Sequence, residues 1–283
     1  MIGKSIFVWG IDYPYWTAEK IAAELVAGGF ESAILHDTSV WNWKKPARDR
    51  LVQLLHAAGL RVHGCAAVYG NDPVAEGRIA AELCETYKLH GFIFDAESSW
   101  DAKPTPDSNA VKLLRKFREG TQALSGWCWW ARWKSPTTGA EWHPKKVLWA
   151  AMEPGYGDAD FGVPMAYWWD SAKENAVLLA EQTFKQWREI TDKPICIAGR
   201  AYDGDGGTAT PEACTAFDKR SRELGATGIT WWAHQYAVKI PGVWEAISAV
   251  SRFGSTEPEP TPEPELTDKQ KLDILWKEYE DRK

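Results

Sequence analysis

Short apolar runs alternate with longer stretches whose apolar residues recur at helical spacing, and the alternation persists through the first 253 residues. The runs predict strands over residues 6–12, 32–37, 61–69, 91–97, 126–132, 161–168, 194–202 and 228–234. Between them the periodicity predicts helices over 17–28, 46–58, 72–88, 106–120, 144–152, 172–190, 211–224 and 242–252. Start and stop signals agree with these limits. Thr17 and Asp72 are placed as caps, Pro46 and Pro73 stand in first turns, and glycines follow the first two helices at Gly28 and Gly59.

Eight strand–helix units in about 250 residues predict an α/β chain folded as a (β/α)8 TIM barrel. Strands that are apolar on both faces fit a parallel sheet covered by helices. The competing architecture is a doubly wound open sheet. Against it, no Gly-x-Gly-x-x-Gly follows the first strand, where Asp12 leads into Tyr13, Pro14, Tyr15 and Trp16.

After Phe253 the pattern changes. Residues 254–265 alternate proline with glutamate and predict an extended, self-repelling linker. Residues 266–283 carry Leu272, Leu275, Trp276 and Tyr279 at helical spacing and predict an amphipathic helix. A lone helix of that length is marginal in water, so it is expected to self-associate or dock on a protein partner. The domain reading is therefore a barrel over 1–253, a linker over 254–265 and a terminal helix over 266–283.

Charge narrows the partners. Of the net charge of −6, residues 254–283 contribute −4 (nine acids against five bases), which leaves −2 for the barrel. A near-neutral body without a basic run argues against nucleic acid and against an anionic membrane surface. The first residues lack the apolar core and cleavage site of a signal peptide, so the chain is expected to be made in the cytoplasm, with any passage to a cell wall by another route. Its five cysteines are widely spaced without metal-ligand pairing and are expected as buried thiols.

Candidate chemistry centres on the fourth strand, which ends in Asp95, Ala96 and Glu97. Alternation puts Asp95, Glu97 and Ile93 on one face, the two acids roughly 6 to 7 Å apart at Cα from the strand rise. Two carboxyls that close disfavour double ionisation, which suits one to act as a general acid while the other stays charged. Acids at a strand end also cap helices or form ion pairs; the aromatic surroundings shift the balance toward catalysis.

Active sites of such barrels lie at the carboxyl ends of the strands. The candidate substrate-binding set there is Asp12, Asp37, Tyr69, Trp130, Arg132, Tyr167, Trp168, Arg200, Tyr202, Trp232, His234 and Gln235. Hydrogen-bonding groups mixed with aromatic plates fit a sugar, whose apolar face stacks on rigid rings, and the chain has 18 tryptophans. Other roles are open for some members: Asp12 could fix its own loop, and Arg132 or Arg200 could neutralise the carboxylates. His36 and His234 lack metal-ligand spacing, so neither a metal nor another cofactor is expected. The loop with Asp203 and Asp205 resembles half a calcium loop, but Cys214 stands where a bidentate glutamate belongs.

With these residues in place, the chain resembles barrel glycosidases that act on N-acetylated sugars. Gly10, Ile11 and Asp12, then Asp95-x-Glu97, then Trp232, Gln235 and Tyr236 are similar to motifs of family 25 muramidases, although the aspartate motif expected after the last strand is missing. Asp95-x-Glu97, Met165-x-Tyr167 and Trp231-Trp232 resemble family 18 chitinases, with His90 and Ile93 in place of that signature's earlier aspartates and Trp168 where an aspartate follows the tyrosine. The resemblance implies that Glu97 protonates the leaving oxygen, Asp95 orients the substrate's 2-acetamido group and Tyr167 hydrogen-bonds the acetamido oxygen. It implies a glycan substrate, peptidoglycan or chitin-like, with endolysin-like wall degradation as one setting. A non-catalytic, glycan-binding barrel tethered through its terminal helix is the alternative.

Overall fold

The computed structural model describes residues 2–11, 16–43 and 45–253. The expectations for Asp12, the linker and the terminal helix fall outside these residues. The elements run β1 (Gly3–Val8), α1 (Ala18–Ala27), β2 (Ser32–Asp37), α2 (Pro46–Ala57), β3 (Arg61–Val68), α3 (Pro73–Tyr87), β4 (Gly91–Ala96) and α4 (Ser98–Asp101), then α5 (Pro106–Gly120), β5 (Leu124–Trp130), α6 (Lys145–Met152), β6 (Phe161–Ala166) and α7 (Lys173–Arg188). They finish with β7 (Cys196–Arg200), α8 (Pro211–Glu223), β8 (Gly228–Trp232), α9 (His234–Ala237) and α10 (Val243–Ser248). The eight strands pair in parallel in sequence order, and β1 closes on β8. This is a (β/α)8 barrel.

Side-chain alternation divides the apolar residues into two cores. Phe7, Ile34, Cys65, Ile93, Cys128, Val163 and Ala198 pack together inside the barrel, while Phe92, Phe94, Ala96, Trp127 and Trp129 point outward into the shell between strands and helices. The register aligns Ala67, Asp95 and Cys128 across β3, β4 and β5, so Asp95 lies on the inward face above Ile93. All five cysteines are buried free thiols.

Local chemistry sets the helix starts. The Thr17 hydroxyl accepts from Lys20 N at 3.2 Å, Asp72 Oδ1 from Ala75 N at 3.0 Å, and the Thr210 hydroxyl from Ala213 N at 3.2 Å. Several strands end earlier than their apolar runs predict. Gly10 adopts φ +74°, which breaks the first strand at Val8, before Asp12. β5 stops at Trp130, β6 at Ala166 and β8 at Trp232, so Arg132, Tyr167, Trp168 and His234 belong to the segments that follow. The loop after β5 is pinned by Gln186, whose Oε1 accepts from Trp133 N at 2.9 Å and Lys134 N at 3.1 Å. That anchorage carries Arg132, Trp142 and His143 to the barrel mouth.

Candidate active site

The carboxyl ends of the strands surround a cleft of about 710 Å³. Asp95 and Glu97 line one side, with Tyr167, Tyr202, Trp232 and Tyr236 around them and Trp130, Arg132, Trp142 and His143 on the adjoining wall. Asp95 is buried, and its Oδ2 lies 3.2 Å from His36 Nε2. The His36 ring is packed edge-on against Trp232, at 4.9 Å between centroids, and against Phe7. A histidine held so closely has little freedom to leave the carboxylate.

Glu97 follows the strand, is exposed at the rim and lines the cleft. The surrounding walls, and after them the Asp95 carboxylate, push its carboxyl up to about 7. A substantial fraction of Glu97 therefore carries a proton at neutral pH. Burial, followed by the nearby Cys128 and Asp95, raises the Tyr167 hydroxyl well above its ordinary value, so it remains a neutral donor. Burial, and secondarily Asp95, also raises the thiols of Cys65 and Cys128, which makes them poor nucleophiles.

Asp101 ties the adjoining wall together. Its carboxylate accepts from Trp129 Nε1 at 3.2 Å and Trp130 Nε1 at 2.9 Å, and lies 3.0 Å from His143 Nδ1. His143 stacks on Trp130 with 4.3 Å between ring centroids. On the far side, Tyr202 donates to Asp205 Oδ2 at 2.7 Å and packs edge-on against Tyr167.

Of the residues singled out from sequence, Asp95, Glu97, Trp130, Arg132, Tyr167, Arg200, Tyr202 and Trp232 line this cleft. Asp12 falls outside the described residues, and the remaining ones lie elsewhere. Asp37 is buried against Arg48 and Lys45, at 2.9 and 3.0 Å. Tyr69 donates to Thr38 O at 3.0 Å. Trp168 is enclosed against Phe217 and donates to Thr208 O, because the residue after an inward-facing Tyr167 turns outward. His234 Nε2 lies 2.8 Å from Glu24 Oε2 among Trp16 and Trp244, outside the cleft, and Gln235 is buried beside it.

Arg200, although it lines the cleft, is engaged by its own loop: Nη1 donates to Gly204 O at 2.6 Å and Gly207 O at 3.2 Å. Phe7, Asp101, Trp142 and His143 were not singled out from the sequence, and Tyr236 was noted only as part of a motif resemblance. The unusual length of the loop after β5 was the available signal for Trp142 and His143. Among the described residues, no group of three His, Cys, Asp or Glu side chains is arranged to hold a metal ion, and no helix is long and apolar enough to cross a membrane.

No protein-family model matches the chain, and no curated protein matches it. Solved structures do share its architecture. A GH18 chitinase from Pseudoalteromonas aurantia aligns with TM-score 0.64 and 11% identity over 86% of this chain and 98% of that one. Active domain 2 of a thermostable chitinase from Pyrococcus furiosus, solved with chito-oligosaccharides, gives 0.59 and 16% over 82% and 84% of the two chains. The spore cortex-lytic enzyme SleL from Bacillus megaterium gives 0.61 and 12% over 86% and 72%. At these identities the likeness is one of fold.

Proposed function

We propose that the chain is a glycoside hydrolase cleaving N-acetylhexosamine polymers, peptidoglycan foremost and chitin-like glycans second. The observation that carries this reading is the pair at the end of β4: Glu97, with its carboxyl raised to about 7, beside an Asp95 held by His36. The names of the structural neighbours, chitinases and a cortex-lytic enzyme, support it and favour the family 18 comparison over the family 25 one.

In this mechanism protonated Glu97 donates to the glycosidic oxygen as the bond from that oxygen to the anomeric carbon breaks. The oxygen of the 2-acetamido group attacks the anomeric carbon, and Asp95 accepts from the acetamido N–H and balances the positive charge that develops. Tyr167 donates to the acetamido oxygen. Water then attacks the anomeric carbon, the bond from that carbon to the acetamido oxygen breaks and restores the 2-acetamido group, and the water's proton passes to the Glu97 carboxylate. Trp232 and Trp130 offer apolar surface to the sugar rings.

The test is the appearance of new reducing ends when the protein is incubated with peptidoglycan and with chito-oligosaccharides, product termini being identified by mass spectrometry. Cleavage by the wild type is expected. Tight binding without turnover, unchanged in Glu97→Gln, would make the chain a glycan-binding barrel instead.

A further inference from the structure

The basic side chains lining the cleft differ in how their hydrogen-bonding capacity is used. Arg200 donates to loop carbonyls, and His143 pairs with Asp101. Arg132 has neither kind of partner. Its half-buried guanidinium lies 5.3 Å from the ring centroids of both Trp142 and Trp169, and one nitrogen donates to the neutral Gln182 Oε1 at 2.9 Å. Among the described residues no carboxylate forms an ion pair with it. Burial lowers its pKa, and no acid offsets that shift.

A cation in a partly desolvated wall, lacking a carboxylate but facing a cavity, is suited to meet its counter-charge on a ligand. The guanidinium is a planar fork that matches a carboxylate through two parallel N–H bonds. Its Cζ lies over both indole rings and Nη1 is engaged by Gln182, which leaves further N–H donors of the guanidinium for a ligand. Arg132 lies two residues beyond β5, which pairs with β4, the strand that Glu97 follows, and both side chains line the same cleft. A ligand group that Arg132 meets therefore lies in the cleft that Glu97 lines.

We propose that Arg132 is a specificity residue that binds a carboxylate carried by the glycan, so that the preferred substrate is an acidic N-acetylhexosamine polymer bearing lactyl ether carboxylates rather than a neutral one. The assignment rests on the glycosidase reading for its consequence in turnover, but the recognition itself is independent of catalysis.

The experiment compares kcat/KM for wild type, Arg132→Gln and Arg132→Lys on three substrates: peptide-stripped peptidoglycan strands with free lactyl carboxylates, the same strands with those carboxyls reduced to alcohols, and chitohexaose. The ratio of acidic to neutral turnover should fall about 10- to 100-fold in Arg132→Gln, as expected for loss of a charge-assisted pair, with Arg132→Lys retaining part of it. Carboxyl reduction should produce the same loss in wild type and little further loss in Arg132→Gln. Equal losses on acidic and neutral substrates, or a wild type indifferent to carboxyl reduction, would overturn the proposal.

Calorimetric binding by Glu97→Gln separates this proposal from the reading beneath it. A preference for carboxylate-bearing strands that disappears on adding Arg132→Gln supports the assignment even if no bond is cut. Absence of that preference counts against it. A preference seen only with peptide stems attached, whose amide link consumes the lactyl carboxylate, would overturn the lactyl assignment.

Discussion

His36 and Asp95 lie 59 residues apart in sequence on β2 and β4, and the barrel brings Nε2 and Oδ2 to 3.2 Å. The contact fixes the orientation of the carboxylate that faces the cleft. His36→Phe keeps the ring that packs on Phe7 and Trp232 while deleting the nitrogen. It should lower kcat by about tenfold or more, in line with about 1.5 to 3 kcal/mol for a hydrogen bond to a charged group, with KM changed far less. An unchanged kcat with the fold intact by circular dichroism would remove His36 from the positioning role.

Glu97 carries a second consequence, in pH dependence. Its carboxyl is raised to about 7 in the folded protein, against an unfolded value near 4.5. The general acid must be protonated, so kcat should fall as pH rises through about 7. Stability has the same sign. Between the two values the unfolded chain releases a proton that the folded chain retains, so this group's contribution declines as pH rises from about 4.5 to 7. Glu97→Gln, which cannot ionise, should therefore raise Tm at pH 8 and have little effect at pH 4; a lower Tm at pH 8 would contradict this.

Beneath the site, Arg48 is buried and donates to Asp37 Oδ2 at 2.9 Å, to His36 O at 3.2 Å and to Trp43 O. Burial alone would raise the Asp37 carboxyl, but hydrogen bonds from Lys45 and Arg48 outweigh it and hold the pKa below the ordinary value. Removing one partner of a buried pair costs about 3 to 5 kcal/mol, and Lys45 remains, so Arg48→Met should cost about 3 kcal/mol by urea unfolding at pH 7. The stabilisation is present above the unfolded pKa of Asp37 and lost as pH falls through the folded one, so the cost should shrink at the acid end. A cost that does not change with pH would assign the loss to packing.

Gly77, in the middle of α3, appears a poor choice for a helix until α5 is considered. A Cβ there would sit 2.2 Å from the backbone oxygen of Leu113, which cannot swing aside. Gly77→Ala should therefore lower stability by about 1 to 2 kcal/mol, the strain of overpacking exceeding the ~1 kcal/mol gain in helix propensity. An increase in Tm would show that the helices can separate.

The barrel itself was legible because strand and helix periods are local and each unit repeats them. β2 and α5 start and end where the periodicity predicts, at Ser32–Asp37 and Pro106–Gly120. Aromatic residues blurred the strand ends: Tyr167, Trp168 and the residues after Trp232 continue an apolar run, although the backbone leaves the sheet after Ala166 and Trp232. Alternation could have separated Tyr167 from Trp168, since adjacent residues cannot face the same side. The contacts from His36 to Asp95 and from Asp101 to His143 were not legible, because both depend on how distant strands and a long loop meet at the mouth. Likewise, the sequence alone could not tell that Arg200 holds its own loop while Arg132 faces the cleft.

The most direct test of the central claim, that Glu97 is the general acid, compares leaving groups. Rates would be measured for wild type and Glu97→Gln on a chito-oligosaccharide or peptidoglycan strand and on a dinitrophenyl N-acetylglucosaminide, whose leaving group needs no proton. Glu97→Gln should lose about 10²- to 10⁴-fold on the natural linkage and less than about tenfold on the dinitrophenyl glycoside. Equal losses on both substrates, or retained activity on the natural linkage, would contradict the assignment.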